Sequence, residues 1–349
     1  MNEQLLASTA KQLVREGRGV LAADESSPSC QIRFDAVGVE CTPDTRRDYR
    51  EILVTTPEAK DILSGVIFYD ETFWQSTKAG KLLREYCAEH DILPGIKVDE
   101  GLADLPGFPG EKVTKGLDAL PGRMAKYKEA GAKFAKWRAV IAIDSATGIP
   151  TDNCIGANAF VLARYARICQ DNDIVPMVEP EVLFDGTHTT EECEAVIVRV
   201  YAMLFSFMKE YKVYMPGAIL KTSMVIPGKD SGKPMDPEDV ATRTSRVLKE
   251  HVPHDLGGVV FLSGGQTPTQ AFLNLNAIAK KAPYPWGVTF SFSRALQDPV
   301  LKFWALHRED AKGAMDIFAH QLQIAVDARD GKLNSDELGG DFVSASQDL

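Results

Sequence analysis

The chain has 349 residues, 44% of them hydrophobic and 25% charged, which is ordinary for a globular protein and leaves enough apolar material to fill a large core without a metal or disulfide. Its formal net charge of −10 argues against nucleic-acid binding and means that any anionic ligand must be met by locally focused positive charge. The N-terminal Met-Asn-Glu-Gln-Leu-Leu-Ala-Ser does not read as a secretory signal, and the six scattered cysteines without a Cys-x-x-Cys pair point to reduced thiols in a cytoplasmic compartment.

In chain order, short β-branched runs bounded by Gly or Pro recur at 19–23, 64–69, 95–98, 132–140, 174–179, 217–220, 258–262 and 287–292. Longer helical patterns separate them, most clearly at 157–169 and 237–250. The apolar stretch 196–208, interrupted by Arg199, is too short to cross a bilayer and reads as a buried helix, so no membrane association is expected. Alternating strand and helix predicts a parallel sheet, and about eight repeats of the unit predict closure into a single (β/α)8 TIM barrel of the α/β class. The competing doubly wound sheet lacks a Gly-x-Gly-x-x-Gly after its first strand. With no Pro/Gly/Ser-rich linker, one barrel domain is expected over 1–333. Residues 334–349, acidic and poor in apolar side chains, are expected to form a short mobile tail. His251 and His254 share a helix-to-loop region and read as surface capping residues; no metal site is expected.

Barrel strands are normally filled by Val, Ile and Leu, but here charges stand at their C-terminal ends. Residues at i and i+2 of a strand share a face, so Lys136 and Arg138 point together with Trp137 opposite. Glu179 and Glu181 do the same, as do Lys97 and Asp99. Asp24 ends the first strand, and Lys221 follows the apolar Ala218-Ile219-Leu220 of the sixth. Singly, each charge could merely solvate a loop. Together, at the ends of five strands, they converge on one mouth when the barrel closes, and a buried cluster of mixed sign must be mutually paired. The cluster lacks the histidines and cysteines that hold transition metals, and it lacks a Ser-His-Asp set. A lysine in an apolar setting beside other cations keeps a fraction of neutral amine able to attack a carbonyl, and neighbouring carboxylates can move the protons. Lys221 with Lys136, Arg138 and the carboxylates therefore points to Schiff-base chemistry.

The seventh strand ends in Phe-Leu-Ser-Gly-Gly-Gln (261–266) and the eighth in Ser-Phe-Ser-Arg-Ala-Leu (291–296). Barrels often hold phosphate in these loops, through backbone N–H groups and a helix N-terminus. Gly264 lets the backbone approach an anion, and Arg294 adds a planar fork of donors. A second basic group follows Asp24, with Ser26, Ser29 and Arg33 at the start of a helix. Two anion sites flanking one lysine suggest a substrate phosphorylated at both ends.

Over nearly its whole length the chain resembles class I fructose-bisphosphate aldolases, in Gly-Val-Leu-Ala-Ala-Asp-Glu-Ser (19–26), Gly-Ile-Lys-Val-Asp (95–99), Lys-Phe-Ala-Lys-Trp-Arg (133–138), Ile-Val-Pro-Met-Val-Glu-Pro-Glu (174–181), Leu-Lys (220–221) and Phe-Leu-Ser-Gly-Gly-Gln (261–266). The resemblance implies a metal-independent, cofactor-free lyase acting on a phosphorylated sugar, usually a homotetramer. It implies that Lys221 is the Schiff-base lysine, Glu179 the acid/base of imine formation supported by Glu181 and Lys136, and Asp24 the base at the C4 hydroxyl. It gives Ser263, Gly264, the Ser293 N–H and Arg294 the C1 phosphate, gives Ser26, Ser29, Arg33 and Lys97 the C6 phosphate, and has Arg138 line the site. The chain departs from the family pattern at Ser293, where a glycine is usual, and at Thr222-Ser223, where many members have Pro-Asn. It also lacks a C-terminal tyrosine for proton transfer at C1, since Tyr284 is its last tyrosine. A transaldolase or single-phosphate aldolase would explain Lys221 but not two anion sites, and a non-catalytic scaffold would be expected to have lost the lysine or its carboxylates.

Overall fold

The computed structural model describes residues 1–334 and Leu338. Its strands are β1 (Gly19–Ala23), β2 (Leu63–Phe68), β3 (Leu93–Lys97), β4 (Leu102–Asp104), β5 (Lys112–Thr114), β6 (Phe134–Ile141), β7 (Val175–Val182), β8 (Ile219–Thr222), β9 (Gly258–Phe261) and β10 (Val288–Phe292). Eight of them close a barrel in the order β1-β10-β9-β8-β7-β6-β3-β2, with every neighbouring pair parallel. The expected barrel is present, and each expected run contributes one of its strands. The antiparallel hairpin β4–β5 was not expected; it follows β3 at the barrel mouth and pairs Leu102 with Thr114.

Some boundaries differ from expectation. The sixth barrel strand is Ile219–Thr222 rather than 217–220, because Met215–Gly217 forms a tight 3-10 turn before it. Lys221 therefore lies inside the strand, one residue before its end. The fifth barrel strand runs on to Val182, which brings Glu181 into the strand as well. The expected helices are all found, within Asp152–Asp171, Thr190–Glu210 and Pro237–His251. No helix among the described residues is long and apolar enough to cross a membrane. His254 donates from Nε2 to Lys249 O at 3.3 Å, at the end of the helix Pro237–His251, as a capping side chain would. The expected tail, 334–349, lies outside the described residues except for Asn334 and Leu338.

Two layers of core hold the barrel. The larger lies between the strands and the surrounding helices, and it takes the outward-facing strand residues, Trp137 among them, whose ring lies 5.4 Å from that of Tyr165. The smaller fills the N-terminal half of the barrel interior with Val20, Ala22, Ile67, Phe134, Val175, Met177, Ile219 and Val260. The N-terminal helix Glu3–Leu13 closes this end with Leu6, Ala10 and Leu13, all fully buried. Phe134 needs room inside so narrow a barrel. Gly65 and Gly95 give it: a Cβ on Gly95 would come within 2.2 Å of the Phe134 ring. With the bottom sealed by apolar packing, the polar site can lie only at the other end.

Candidate functional site

Strand alternation carries each inward row from apolar to charged. Val20 and Ala22 lead to Asp24, Phe134 to Lys136 and Arg138, Val175 and Met177 to Glu179 and Glu181, and Ile219 to Lys221. These ends surround a cavity of about 480 Å³ at the C-terminal mouth. The structure brings every residue singled out in the sequence to its wall: Asp24, Ser26, Ser29, Arg33, Lys97, Lys136, Arg138, Glu179, Glu181, Lys221, Ser263, Gly264, Ser293 and Arg294.

At the floor the charges form one chain of contacts. Lys221 Nζ lies 3.1 Å from Glu179 Oε1; Glu179 Oε2 lies 3.0 Å from Lys136 Nζ, and Lys136 Nζ lies 2.7 Å from Asp24 Oδ2. All four side chains are buried, Lys221 being 4% exposed. Burial pushes the Asp24 carboxyl up, but Lys136, then Lys221 and Lys97, outweigh it and hold it at about 2. Burial opposes the charge of Lys136 too, yet Asp24, Glu179 and Asp99 raise it above the ordinary lysine value. Glu179, also against burial, is lowered by Lys136, Lys221 and Arg138. Without substrate, Asp24 and Lys136 are thus both charged at neutral pH. The sequence placed Lys136 across the mouth from Lys221 with carboxylates nearby; Glu179 stands between the two ammonium groups, in reach of the proton that Lys221 must lose to become a nucleophile.

Around this floor, Arg138 Nε pairs with Glu181 and Lys97 Nζ lies 2.7 Å from Asp99 Oδ1. The Arg138 backbone N–H also points to Asp99 Oδ2, at 3.3 Å. Ser26 and Ser29 hydroxyls lie 3.0 Å apart on the first loop and its helix. On the opposite side Gly264 and Gly265 have φ +44° and +86°, which a side chain would oppose. Gly265 also seats the ring of Phe184, within 2.9 Å of where a Cβ would be. The Arg294 side chain makes no hydrogen bond or ion pair among the described residues.

Arg33 differs from expectation. It reaches the cavity, but its guanidinium is already held by Glu25, by Gln297 Oε1 at 3.2 Å and by Asp298 Oδ1 at 2.9 Å. Glu25, Gln297 and Phe184 were not found by sequence reasoning. Glu25 could have been signalled by its place beside Asp24 at a strand end; Gln297, one helical turn after Ser293, gave no signal. No group of three or more His, Cys, Asp or Glu side chains among the described residues is arranged to hold a metal ion.

The model for "Fructose-bisphosphate aldolase class-I" matches residues 5–346. A "Probable fructose-bisphosphate aldolase class 1" of Xylella fastidiosa is 48% identical over 313 residues, 90% of this chain and 92% of the relative. The "Fructose-bisphosphate aldolase 4, cytosolic" of Arabidopsis thaliana is 44% identical over 342 residues, 98% of this chain and 86% of the relative. The fructose-bisphosphate aldolase of Plasmodium falciparum, solved in complex with TRAP and a small-molecule inhibitor, superposes with a TM-score of 0.94 at 43% identity, covering 97% of this chain and 96% of its own. The barrel, the charged mouth and the match along the chain agree, and the protein belongs to the class I fructose-bisphosphate aldolase family.

Proposed function

We propose that the chain reversibly cleaves fructose 1,6-bisphosphate to dihydroxyacetone phosphate and glyceraldehyde 3-phosphate through an imine on Lys221. The observation that carries this reading is the buried contact chain Lys221–Glu179–Lys136–Asp24. Lys221, its proton taken by Glu179, adds to the C2 ketone. Glu179 returns a proton to the departing hydroxyl, and loss of water leaves a protonated imine. Asp24 removes the C4 hydroxyl proton, the C3–C4 bond breaks, and its electron pair flows into the imine to give an enamine. Glyceraldehyde 3-phosphate leaves, the enamine takes a proton delivered by Glu179 or water while Asp24 gives up the proton it took, and water hydrolyses the imine to free dihydroxyacetone phosphate and Lys221. Lys136 stays positive throughout and stabilises Glu179 and Asp24 as carboxylates, with Glu181 holding Arg138 at the wall.

Ser263, Gly264, the N–H of Ser293 and Arg294 would hold the C1 phosphate, and Ser26, Ser29, Arg33 and Lys97 the C6 phosphate. Metal independence goes with the class I family. By the same family reading we assign a homotetramer in the cytoplasm, each subunit one barrel over 1–333 followed by the tail 334–349.

The test is covalent. Dihydroxyacetone phosphate with borohydride should leave a reduced adduct on Lys221, read by peptide mass spectrometry, and Lys221→Met should lose adduct and cleavage together. An adduct on Lys97 or Lys136 with Lys221 unmodified would overturn the assignment.

A further inference from the structure

Ser293 is the N-cap of the helix Arg294–Leu306, a position where serine usually caps the first turn, yet its side chain makes no cap hydrogen bond. Its hydroxyl instead donates across the barrel seam to Glu25 Oε1, at 2.6 Å. The same oxygen accepts from Arg33 Nη1 and from Gln297 Nε2, the latter at 3.1 Å. Gln297 Nε2 is itself fixed by Ala22 O at 2.7 Å, where β1 and β10 lie side by side. Glu25 is thus held at one oxygen by three donors, all from the two segments that carry the proposed phosphate contacts.

Arg33, meanwhile, shares one positive charge between two carboxylates, Glu25 and Asp298. A phosphate arriving beside Ser26, Ser29 and Arg33 must compete with Glu25 for the guanidinium. An oxygen that spreads its negative charge over several donors holds each of them less tightly. The Ser293 hydroxyl therefore moderates the competition in favour of the incoming phosphate.

We propose that Ser293 is a positioning residue that acts through Glu25 to set how available Arg33 is, and so how strongly the site demands a phosphate at the sugar end remote from the imine. This rests on the aldolase reading above. It gives the Ser293 side chain a role separate from that of its backbone N–H, and at the opposite end of the substrate.

Steady-state kinetics with fructose 1,6-bisphosphate and fructose 1-phosphate test it through the ratio of the two kcat/KM values. Loss of one charge-assisted hydrogen bond in Ser293→Ala should let Glu25 hold Arg33 more tightly and lower that ratio roughly three- to tenfold, chiefly through KM for the bisphosphate. Glu25→Gln keeps the shape but removes the competing charge, so it should raise the ratio by a similar factor. A purely structural network would move both variants the same way or neither, and either result overturns the proposal. Should Glu25→Gln not fold, Ser293→Thr, which restores the hydroxyl, should recover the native ratio within about twofold; failure to recover it overturns the proposal. If the native protein cleaves neither sugar, the aldolase reading fails, and calorimetric titration with inorganic phosphate still decides. Ser293→Ala should then bind phosphate roughly three- to tenfold more weakly, and unchanged affinity refutes the proposal.

Discussion

Replacing Lys136 with methionine keeps its apolar stem and removes the cation that, among the described residues, touches both Asp24 and Glu179. At an effective dielectric of about 20, contacts of 2.7 and 3.0 Å correspond to gross attractions of about 6 and 5.5 kcal/mol. Much of this is offset by the cost of burying the ammonium, so the expected net loss is about 3–5 kcal/mol, the usual result of leaving buried charge unpaired. Unfolding entropy of about 2.1 cal/mol/K per residue over about 330 residues turns that into a fall in Tm of about 4–7 °C. The pH dependence should change as well. Asp24, held at about 2 against an ordinary 3.8, contributes stability that is complete above 3.8 and is lost as pH falls through about 2, on the order of 2 kcal/mol. Without Lys136, burial is opposed only by Lys221 and Lys97, and the carboxyl should rise past its ordinary value. Its ionisation then destabilises the fold at neutral pH, and lowering the pH from 6 to 4 should recover stability that the native protein does not gain. Thermal melts from pH 3 to 7, with activity assayed beside them, measure both effects. An unchanged Tm and the same pH profile in both proteins would refute the idea that Lys136 pairs the two carboxylates.

Further outcomes follow from the same geometry. Gly265→Ala puts a Cβ at φ +86° and within 2.9 Å of the Phe184 ring, and should cost about 1–3 kcal/mol in thermal stability while raising KM for both sugar phosphates. If both are unchanged, the loop does not depend on this glycine. Arg33→Ala should weaken fructose 1,6-bisphosphate cleavage about tenfold or more relative to fructose 1-phosphate cleavage, and equal losses would make Arg33 a purely structural clamp. Cleavage should be insensitive to a chelator, and its loss would contradict class I chemistry. Residues 336–349 contain no phenol, histidine or thiol, so their deletion should leave cleavage and tritium exchange from dihydroxyacetone phosphate within a few-fold; a hundredfold loss of exchange, about 2.7 kcal/mol of barrier, would mean the tail carries the proton.

The amino-acid sequence alone determined the barrel and which charged strand-end residues reach its mouth. Period-two alternation in runs such as Lys136-Trp137-Arg138 and Glu179-Pro180-Glu181 states which residues share a face, and charge at the end of an apolar run identifies the mouth. These are local properties, legible one strand at a time. Two things were decided only by tertiary structure. One is which charge meets which: Glu179 stands between Lys221 and Lys136 because β7 lies between β6 and β8, and pairing across strands depends on the closed order of the sheet. The other is the state of Arg33, which local pattern presents as a free cation and the fold binds to Glu25 and Asp298. Its partners come from both ends of the chain, which meet only when β1 and β10 close the barrel, and no local period can encode a contact that closure creates.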